Sequence, residues 1–394
     1  MDTLSTMPTR MLWRGQNGWM FGRMVTRACI VLSCLSVLWS CGSDGPSLGA
    51  LTVDAAQEAT SAEAPPDGRC GLTPRLLVSA STFPRPPFDA GNLEVAALEL
   101  VANASDLYYV ISAAENNGPL FSPILAGSVL RVPLGGGQPT LVASGFMFSR
   151  PVLTATSVIL GERNAYPSNY NDAIVSIPLD GGVPTTIVTL PDSLLAGPVT
   201  DGTYVYFTDQ GGIEAVPLAG GSTSPASVTL ASSLSAAIGV FGQRLLFFLP
   251  QGDVDSVPLP PESNSPVTTL GTSAAGPTDI MPCGTDACWL GEGADAMMRI
   301  APTGGAIAVM PLPSALARPL NVAFDGADFY IIGGDSGTTE RLGRMAADGS
   351  SFAILVTMSS TGGGSVAVDD ECVYWSNAFG IFSLAKTAEG PFAQ

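Results

Sequence analysis

Short apolar runs alternate with turns rich in Gly, Pro and Asp along most of this chain. Near the C-terminus such runs occupy 364–368, 372–377 and 381–385. They are rich in the β-branched and aromatic residues that favour strands. In the preceding units a fourth run follows a Gly-containing turn, as in Thr185–Thr189 after Gly181-Gly182. The pattern therefore predicts units of four short strands each.

A short cassette marks the end of every third strand. Its Pro or Ala recurs at Pro133, Pro178, Pro217, Pro258, Pro302, Ala346 and Ala385, in steps of 45, 39, 41, 44, 44 and 39 residues. Periods of about 40–45 residues with several strands per period are typical of propeller blades. We therefore predict an all-β, seven-bladed β-propeller of four-stranded antiparallel blades.

The strand count predicts how the ring closes. Seven third strands are present, but only six are followed by a fourth-strand run, and we find no such run between Lys386 and Gln394. Residues 73–80 have the fourth-strand pattern instead. Because a closed ring leaves no unpaired edge between its ends, we expect 73–80 to complete the last blade. The alternative is a six-bladed ring with an irregular first unit.

The N-terminal region has the pattern of a secretory leader. Arg23 and Arg27 precede an apolar run of 12 residues, 28–39, which is shorter than the roughly 20 residues that span a bilayer. Leu38-Trp39-Ser40-Cys41 resembles the bacterial lipobox, although Trp39 stands where that pattern has a small residue. This resemblance implies lipidation of Cys41. We divide the chain into a leader at 1–40, a flexible tether at 41–69 and a propeller at 70–394.

The charge balance limits the choice of partners. The whole chain has a net charge of −18, and without residues 1–40 it has 12 basic and 33 acidic residues. Such a surface repels nucleic acid and anionic headgroups, so neither is expected to bind directly. We expect a monomer that meets the membrane only through its lipid. Gly42 and Ser43 resemble the start of lipoproteins sorted to the outer membrane, which implies that location in the cell envelope.

The cysteines predict disulfides. Cys283 and Cys288 flank a four-residue loop at the mouth of a hairpin, so they are expected to pair. Four cysteines allow three pairings in an oxidising compartment. Elimination then assigns Cys70 to Cys372, which suits a strand that closes the ring just after Cys70. With no His in the chain, a zinc site is poorly supported, and we expect no metal and no cofactor.

The residue content restricts catalysis. Without His, Ser-His-Asp and Cys-His nucleophiles are excluded. Asp201, Asp209, Asp325, Asp369 and Asp370 recur near turns, where Asp bonds its own backbone. We expect no catalytic residue and favour a non-catalytic binding or scaffold protein. The alternative is a propeller enzyme, either a calcium-dependent lactonase-like hydrolase or a lyase, with carboxylates in the central channel.

Two long connections are candidates for ligand binding. Most connections from second to third strand are short, but those in the first two blades are long, and long loops on rigid scaffolds often carry function. They hold amides and aromatics that suit an envelope protein, a peptide or a glycan: Asn116, Asn117, Phe121, Tyr166, Asn169 and Tyr170. An insertion without function would have the same length.

Two second strands carry a family resemblance. The segments 201–209 and 369–377 contain Tyr204-Val-Tyr-Phe-Thr-Asp209 and Val373-Tyr-Trp-Ser-Asn377. They resemble the signature strand of YWTD-type propellers, and the repeats are similar to TolB, NHL and DUF5050-like propellers. The resemblance covers roughly 72–390. It implies a propeller fold and packing of Tyr374, Trp375, Tyr206 and Phe207 between blades.

Overall fold

A computed structural model describes most of the region after residue 68. The chain divides into two compact units, Met1–Ala62 and Glu63–Gln394, and every described residue lies in the second. The described ranges are 69–83, 93–115, 124–145, 147–163, 172–190, 194, 196–209, 212–220, 226–229, 237–249, 252–262, 265–273, 276–277, 280–291, 295–334, 339–358 and 364–394.

The described strands form seven sheets, which confirms an all-β propeller with seven blades and excludes the six-bladed alternative. Blade 1 has β2 (Leu93–Ala102), β3 (Asp106–Glu115), β4 (Ile124–Pro133) and β5 (Thr140–Gly145). Blade 2 has β6 (Met147–Phe148), β7 (Val152–Leu153), β8 (Ser157–Arg163), β9 (Ala173–Pro178) and β10 (Thr185–Thr189). Blade 3 has β11 (Ala196–Thr200), β12 (Tyr204–Thr208), β13 (Gly212–Pro217) and β14 (Ala226–Thr229).

The remaining blades follow the same plan. Blade 4 has β15 (Ile238–Phe241), β16 (Arg244–Phe248), β17 (Asp253–Pro258) and β18 (Thr268–Thr272). Blade 5 has β19 (Met281–Cys283), β20 (Asp286–Gly291), β21 (Ala296–Ile300) and β22 (Ala308–Pro311). Blade 6 has β23 (Pro319–Phe324), β24 (Asp328–Gly334), β25 (Glu340–Ala346) and β26 (Phe352–Met358). Blade 7 has β27 (Val366–Val368), β28 (Cys372–Asn377) and β29 (Gly380–Ala385), and short 3-10 helices occur at Ala80–Thr82 and Ser314–Leu316.

The fourth strand of blade 7 is formed by residues that precede blade 1 in the chain. Strand β1 (Arg75–Ser79) pairs antiparallel with β29, from Arg75 opposite Ser383 to Ser79 opposite Gly380. Gly380 has φ of +146°, and a Cβ there would collide with the carbonyl oxygen of Val78. The prediction that a strand at 73–80 completes the last blade is therefore confirmed.

The C-terminal segment contains a strand that the sequence pattern does not reveal. Strand β30 (Phe392–Ala393) lies parallel to β26 and adds a fifth strand to blade 6. Ala388 is buried beside it, and a side chain at Gly390 would collide with the backbone of Ile354 and Leu355. The sequence pattern did not predict this strand, because it is too short and too close to Pro391 to show a periodicity.

The core lies between adjacent blades. One cluster joins Leu77 of β1 and Tyr374 of β28 to Leu107, Tyr109 and Leu130 of blade 1. Another joins Trp375 of blade 7 to blade 6. The four aromatic residues expected to pack between blades are fully buried: Tyr206, Phe207, Tyr374 and Trp375. Because both faces of a blade are covered, the central residues of the second strands are apolar.

The strand order gives the ring two chemically different ends. The first strands of adjacent blades pack against each other, so they are innermost, and the fourth strands lie outermost. Connections from first to second and from third to fourth strand, such as 103–105, 134–139 and 369–371, emerge on one end, which we name the turn face. Connections from second to third strand, such as 378–379, and those between blades emerge on the other end, which we name the loop face.

Candidate functional site on the loop face

The two long connections start and end at this face. Strand β3 ends at Glu115 and β4 begins at Ile124, while β8 ends at Arg163 and β9 begins at Ala173. Both gaps are second-to-third-strand connections, and blades 1 and 2 share a buried cluster, so they are neighbours. The six candidate residues themselves lie outside the described residues: Asn116, Asn117, Phe121, Tyr166, Asn169 and Tyr170. Cys41 also lies outside them.

Buried polar side chains collect at the same end of the ring. Of the twelve buried polar or charged side chains in the described part, ten lie within three residues of a loop-face connection: Asp172, Thr208, Asp209, Glu214, Asp255, Ser273, Glu340, Ser365, Ser376 and Asn377. None of these ten residues was predicted as a site residue from the sequence. Five of them are carboxylates, and a buried carboxylate costs free energy unless it is paired.

Two of these carboxylates occupy the same place in neighbouring blades. Glu214 lies opposite Phe207 on β13, and Asp255 lies opposite Phe247 on β17. The corresponding third-strand residues in the other five blades are apolar or Gly: Leu130, Val175, Met298, Gly343 and Phe382. A comparison of the seven repeats at this position shows that these two blades differ from the other five, although it does not show that the carboxylates are buried.

The environment of both carboxylates favours their protonated form. Among the described residues, Oε2 of Glu214 and Oδ1 of Asp255 are buried without a hydrogen-bond partner. Burial and the nearby charge of Asp209 raise the pKa of Glu214 from 4.5 to about 7. Burial also raises the pKa of Asp255; a hydrogen bond with Thr269 opposes this, and the charge of Asp253 reinforces it. Glu214 therefore titrates near neutral pH.

We expect Glu214→Gln to reduce the pH dependence of stability. The folded-state pKa of about 7 lies above the ordinary 4.5. The contribution of Glu214 to stability is therefore greatest below pH 4.5 and falls as pH rises toward 7, by on the order of 3 kcal/mol. Urea unfolding at pH 4.5 and pH 8 should show a smaller difference for Glu214→Gln than for the natural chain. The exposed Glu389→Gln is the matched control, and equal slopes for all three proteins would contradict the assignment.

The carboxylates at the turns have a structural role on the opposite face. Asp369 accepts N–H hydrogen bonds from Glu371 and Cys372 at 2.8 and 2.7 Å and binds the Tyr374 hydroxyl at 2.8 Å. Asp201 binds Tyr206 in the same way, at 2.7 Å. Asp209 differs: it follows the second strand at the loop face and is buried. Its Oδ1 accepts the N–H of Gly212 at 3.2 Å, so Asp209 also bonds the backbone of its own turn, as expected. Placing it at the same hairpin as the other Asp residues is wrong, because it lies at the other end of that strand.

Both disulfides that the sequence predicts are present. Cys283 and Cys288 are joined, as are Cys70 and Cys372. Cys283 and Cys288 of blade 5 have the same five-residue spacing as Asp369 and Tyr374 of blade 7. Both pairs lie at the turn between the first and second strands of their blade. A covalent bond in blade 5 therefore takes the place of the Asp–Tyr hydrogen bond of blades 3 and 7. In the ranges that the structure describes, no three His, Cys, Asp or Glu side chains converge as metal ligands.

The wall of the central channel is built from the innermost strands. The residues of these strands whose burial is described are mostly apolar residues, Gly and Pro. Glu99 is the one acidic residue among those described residues. Polar groups there join the blades: Asn321 Oδ1 accepts the N–H of Val366 at 3.2 Å, and Ser365 Oγ accepts the N–H of Leu100 at 3.1 Å. These hydrogen bonds connect blade 6 to blade 7 and blade 7 to blade 1.

Comparison with known proteins gives similarity in fold only. No family model matches this chain, and no curated protein matches it. BamB from Moraxella catarrhalis is 12% identical, with a TM-score of 0.45 over 81% of this chain and 99% of that chain. The computationally designed Ika8 protein is 10% identical, with a TM-score of 0.49 over 79% and 99%. A nidogen/laminin complex gives 15% identity and a TM-score of 0.38 over 52% and 75%.

None of the helices in the described ranges has the length and apolar character needed to cross a bilayer.

Proposed function

We propose that this chain is a lipid-anchored propeller of the bacterial cell envelope that acts as a non-catalytic binding or scaffold protein. The anchor is a lipid on Cys41, at the outer membrane. The partner is an envelope protein, a peptide or a glycan, and it binds at the loop face beside blades 1 and 2. We propose that the protein is a monomer without a cofactor.

The composition of the channel wall is the observation that carries this proposal. A propeller hydrolase of the alternative type needs carboxylates and amides from several blades converging in the channel. Here the described innermost strands are largely apolar, and Asn321 and Ser365 use their side chains to join blades. The residues of the channel wall therefore hold neighbouring blades together, as expected of a rigid scaffold whose loops bind a partner.

The loop face supports the choice of binding site. Strands on both sides of each long connection are ordered in neighbouring blades, so the two connections begin from a common rigid base. The connections hold Tyr166 and Tyr170 together with four amide or aromatic candidates. Aromatic rings and amides make large contacts with peptides and sugars at low entropic cost.

The anchor is tested with Cys41→Ala. This variant should lose palmitate labelling and move from the membrane fraction to the soluble fraction, because a lipid chain adds about 0.8 kcal/mol of membrane binding per buried CH₂. Continued labelling or membrane association would refute the anchor. The binding role is not tested by this variant.

The binding site is tested with the double variant Tyr166→Ala with Tyr170→Ala. Partners crosslinked to the full chain in the host envelope should be recovered at least about tenfold less with this variant, as expected when two interface aromatics are lost. The control is Asp348→Ala with Ser350→Ala, two exposed changes on the turn face. Equal recovery with both variants would refute the site, and turnover of a lactone by the purified protein would refute the non-catalytic role.

A further inference from the structure

The loop face between blades 5 and 6 contains two residues with an unusual backbone conformation. In the described ranges, Asp295 (φ +45°) and Arg318 (φ +65°) are the two residues other than Gly with positive φ. Asp295 lies in the second-to-third-strand connection of blade 5, and Arg318 lies in the connection from blade 5 to blade 6. Asp adopts left-handed backbone more readily than Arg does, and a residue before Pro favours extended backbone. Arg318, which precedes Pro319, therefore keeps this conformation only because its surroundings fix it.

Hydrogen bonds from neighbouring segments fix this connection. The Arg318 N–H donates to Oδ1 of Asp295 at 3.1 Å, and the Leu312 N–H donates to the Asp295 carbonyl at 2.8 Å. Nη1 of Arg341, at the start of the third strand of blade 6, donates to the Ala315 carbonyl at 3.1 Å. The connection is thus tied before Arg318 and at Arg318 itself, so that side chain projects from a fixed backbone.

Arg318 is exposed, and its guanidinium has no partner among the residues that the structure describes. Acidic residues outnumber basic ones by 34 to 16 in this chain, so a basic side chain without an ion pair is unexpected. Asp295 binds the Arg318 backbone rather than the guanidinium. Every other Lys or Arg whose side chain is described has a partner: Arg69, Arg75, Arg131, Arg150, Arg244, Arg299, Arg341, Arg344 and Lys386.

An exposed apolar residue lies beside Arg318 at the loop-face mouth of the central channel. Leu320 is the second residue of the innermost strand β23, and 41% of its surface is exposed. It is the extra residue of a β-bulge between Pro319 and Asn321. A bulge changes the direction in which a side chain projects. Two residues of chain span at most about 7 Å, so the backbone of Leu320 lies close to that of Arg318.

We infer that Arg318 and Leu320 form a binding site for a carboxylate that is flanked by an apolar group, as at the C-terminus of a peptide or at an acidic side chain in an apolar segment. The planar guanidinium donates two parallel hydrogen bonds to a carboxylate, and Leu320 packs against the apolar group. The site depends neither on the proposed lipid at Cys41 nor on the long connections of blades 1 and 2.

The charge of the chain favours a carboxylate over a phosphate group. The net charge of −18 repels anions, and a phosphate group with a charge near −2 is repelled more than a carboxylate with a single charge. Asp295 adds a negative charge beside the guanidinium, so we expect weak binding, with a Kd on the order of 1 mM. Contact with Leu320 then supplies much of the affinity, because burial of a Leu side chain changes a binding constant by about tenfold or more.

Protection from phenylglyoxal, which modifies free guanidinium groups, tests the site. The purified full chain is treated alone or with acetyl-Leu-Leu, its C-terminal amide or inorganic phosphate, and modification of each Arg is followed by peptide mass spectrometry. Acetyl-Leu-Leu at about ten times its Kd should slow modification of Arg318 by about tenfold, whereas the amide should have little effect. Arg75, which binds the Gly135 carbonyl in another part of the ring, is the internal reference.

Substitution of Leu320 tests the apolar half of the site. Leu320→Ala should leave only about twofold protection at the same concentration of acetyl-Leu-Leu. The matched control is Leu72→Ala, at another exposed leucine, and it should leave the protection unchanged. A peptide with a blocked C-terminus, acetyl-Leu-Asp-Leu-amide, identifies the source of the carboxylate: protection by it extends the site to acidic side chains, and no protection restricts the site to C-termini.

Four results would overturn the inference. The first two are equal protection of Arg318 by acetyl-Leu-Leu and its amide, and equal slowing of modification at Arg75. The third is protection by phosphate as strong as that by the dipeptide, which would indicate a general anion contact. The fourth is protection that Leu320→Ala does not reduce, because the apolar contact is part of the proposed site.

Discussion

Removal of residues 70–81 is expected to cause unfolding or aggregation, whereas removal of 42–66 should be nearly neutral. The first deletion removes β1 and leaves the edge of β29 unpaired between blades 7 and 1. It also removes Leu77 and Val78, both buried, from the cluster that joins those blades. Unpaired strand edges promote association, and the loss of buried apolar surface lowers stability.

Two substitutions on β1 measure how much the packing of this strand contributes to stability while the disulfide stays in place. Leu77→Ala should lower the free energy of unfolding by about 2–5 kcal/mol, as for other buried leucines, while Leu76→Ala on the same strand should cost much less. Leu76 is 48% exposed and Leu77 is 7% exposed. Urea unfolding monitored by tryptophan fluorescence measures both. Equal effects at the two positions, or equal tolerance of the two deletions, would show that β1 does not close the ring.

The second large effect is expected from the long-range disulfide. Cys70 and Cys372 are 302 residues apart, and Cys283 and Cys288 are five apart. In the chain-entropy model a crosslink stabilises more when it closes a longer loop, which gives roughly 6 kcal/mol for the first pair and roughly 2 kcal/mol for the second. Cys70→Ala with Cys372→Ala should therefore lower the urea midpoint much more than Cys283→Ala with Cys288→Ala.

The two disulfide variants are matched in the burial of the cysteine that each removes from a second strand. Cys372 and Cys288 are both fully buried on second strands, so the packing cost of the substitutions is similar and the difference reports loop length. Peptide mapping without reductant checks that the remaining pair still forms. If the blade 5 variant lost as much stability as the ring-closing variant, the entropic explanation would be wrong for this protein.

Local chemistry explains why the number of blades could be predicted from the sequence. Each third strand ends in the same short cassette because each leads into a similar tight turn, where Gly181 and Gly304 have positive φ. Turn requirements of this kind depend on a few neighbouring residues, so they repeat visibly along the chain. The count of third and fourth strands then identified 73–80 as the closing strand.

The carboxylates at the loop face could not be predicted in the same way. In β13 Glu214 lies between Ile213 and Ala215, and in β17 Asp253 and Asp255 alternate with Val254. Such alternation normally indicates a strand with one face in water. In a propeller each blade is covered on both sides by its neighbours. Glu214 and Asp255 are therefore buried, and only the packing of the ring raises their pKa.

The sequence by itself determined the repeat, the seven blades, the local Cys283–Cys288 pair and, by elimination, the pairing of Cys70 with Cys372. These features follow from turn chemistry, strand period and residue counts. The tertiary structure decided what joins distant segments: the parallel pairing of β30 with β26, the burial of Glu214 and Asp255, and the entry of the chain at the turn face. Such contacts bring together residues far apart in the chain, and a periodic pattern carries no information about which distant surfaces meet.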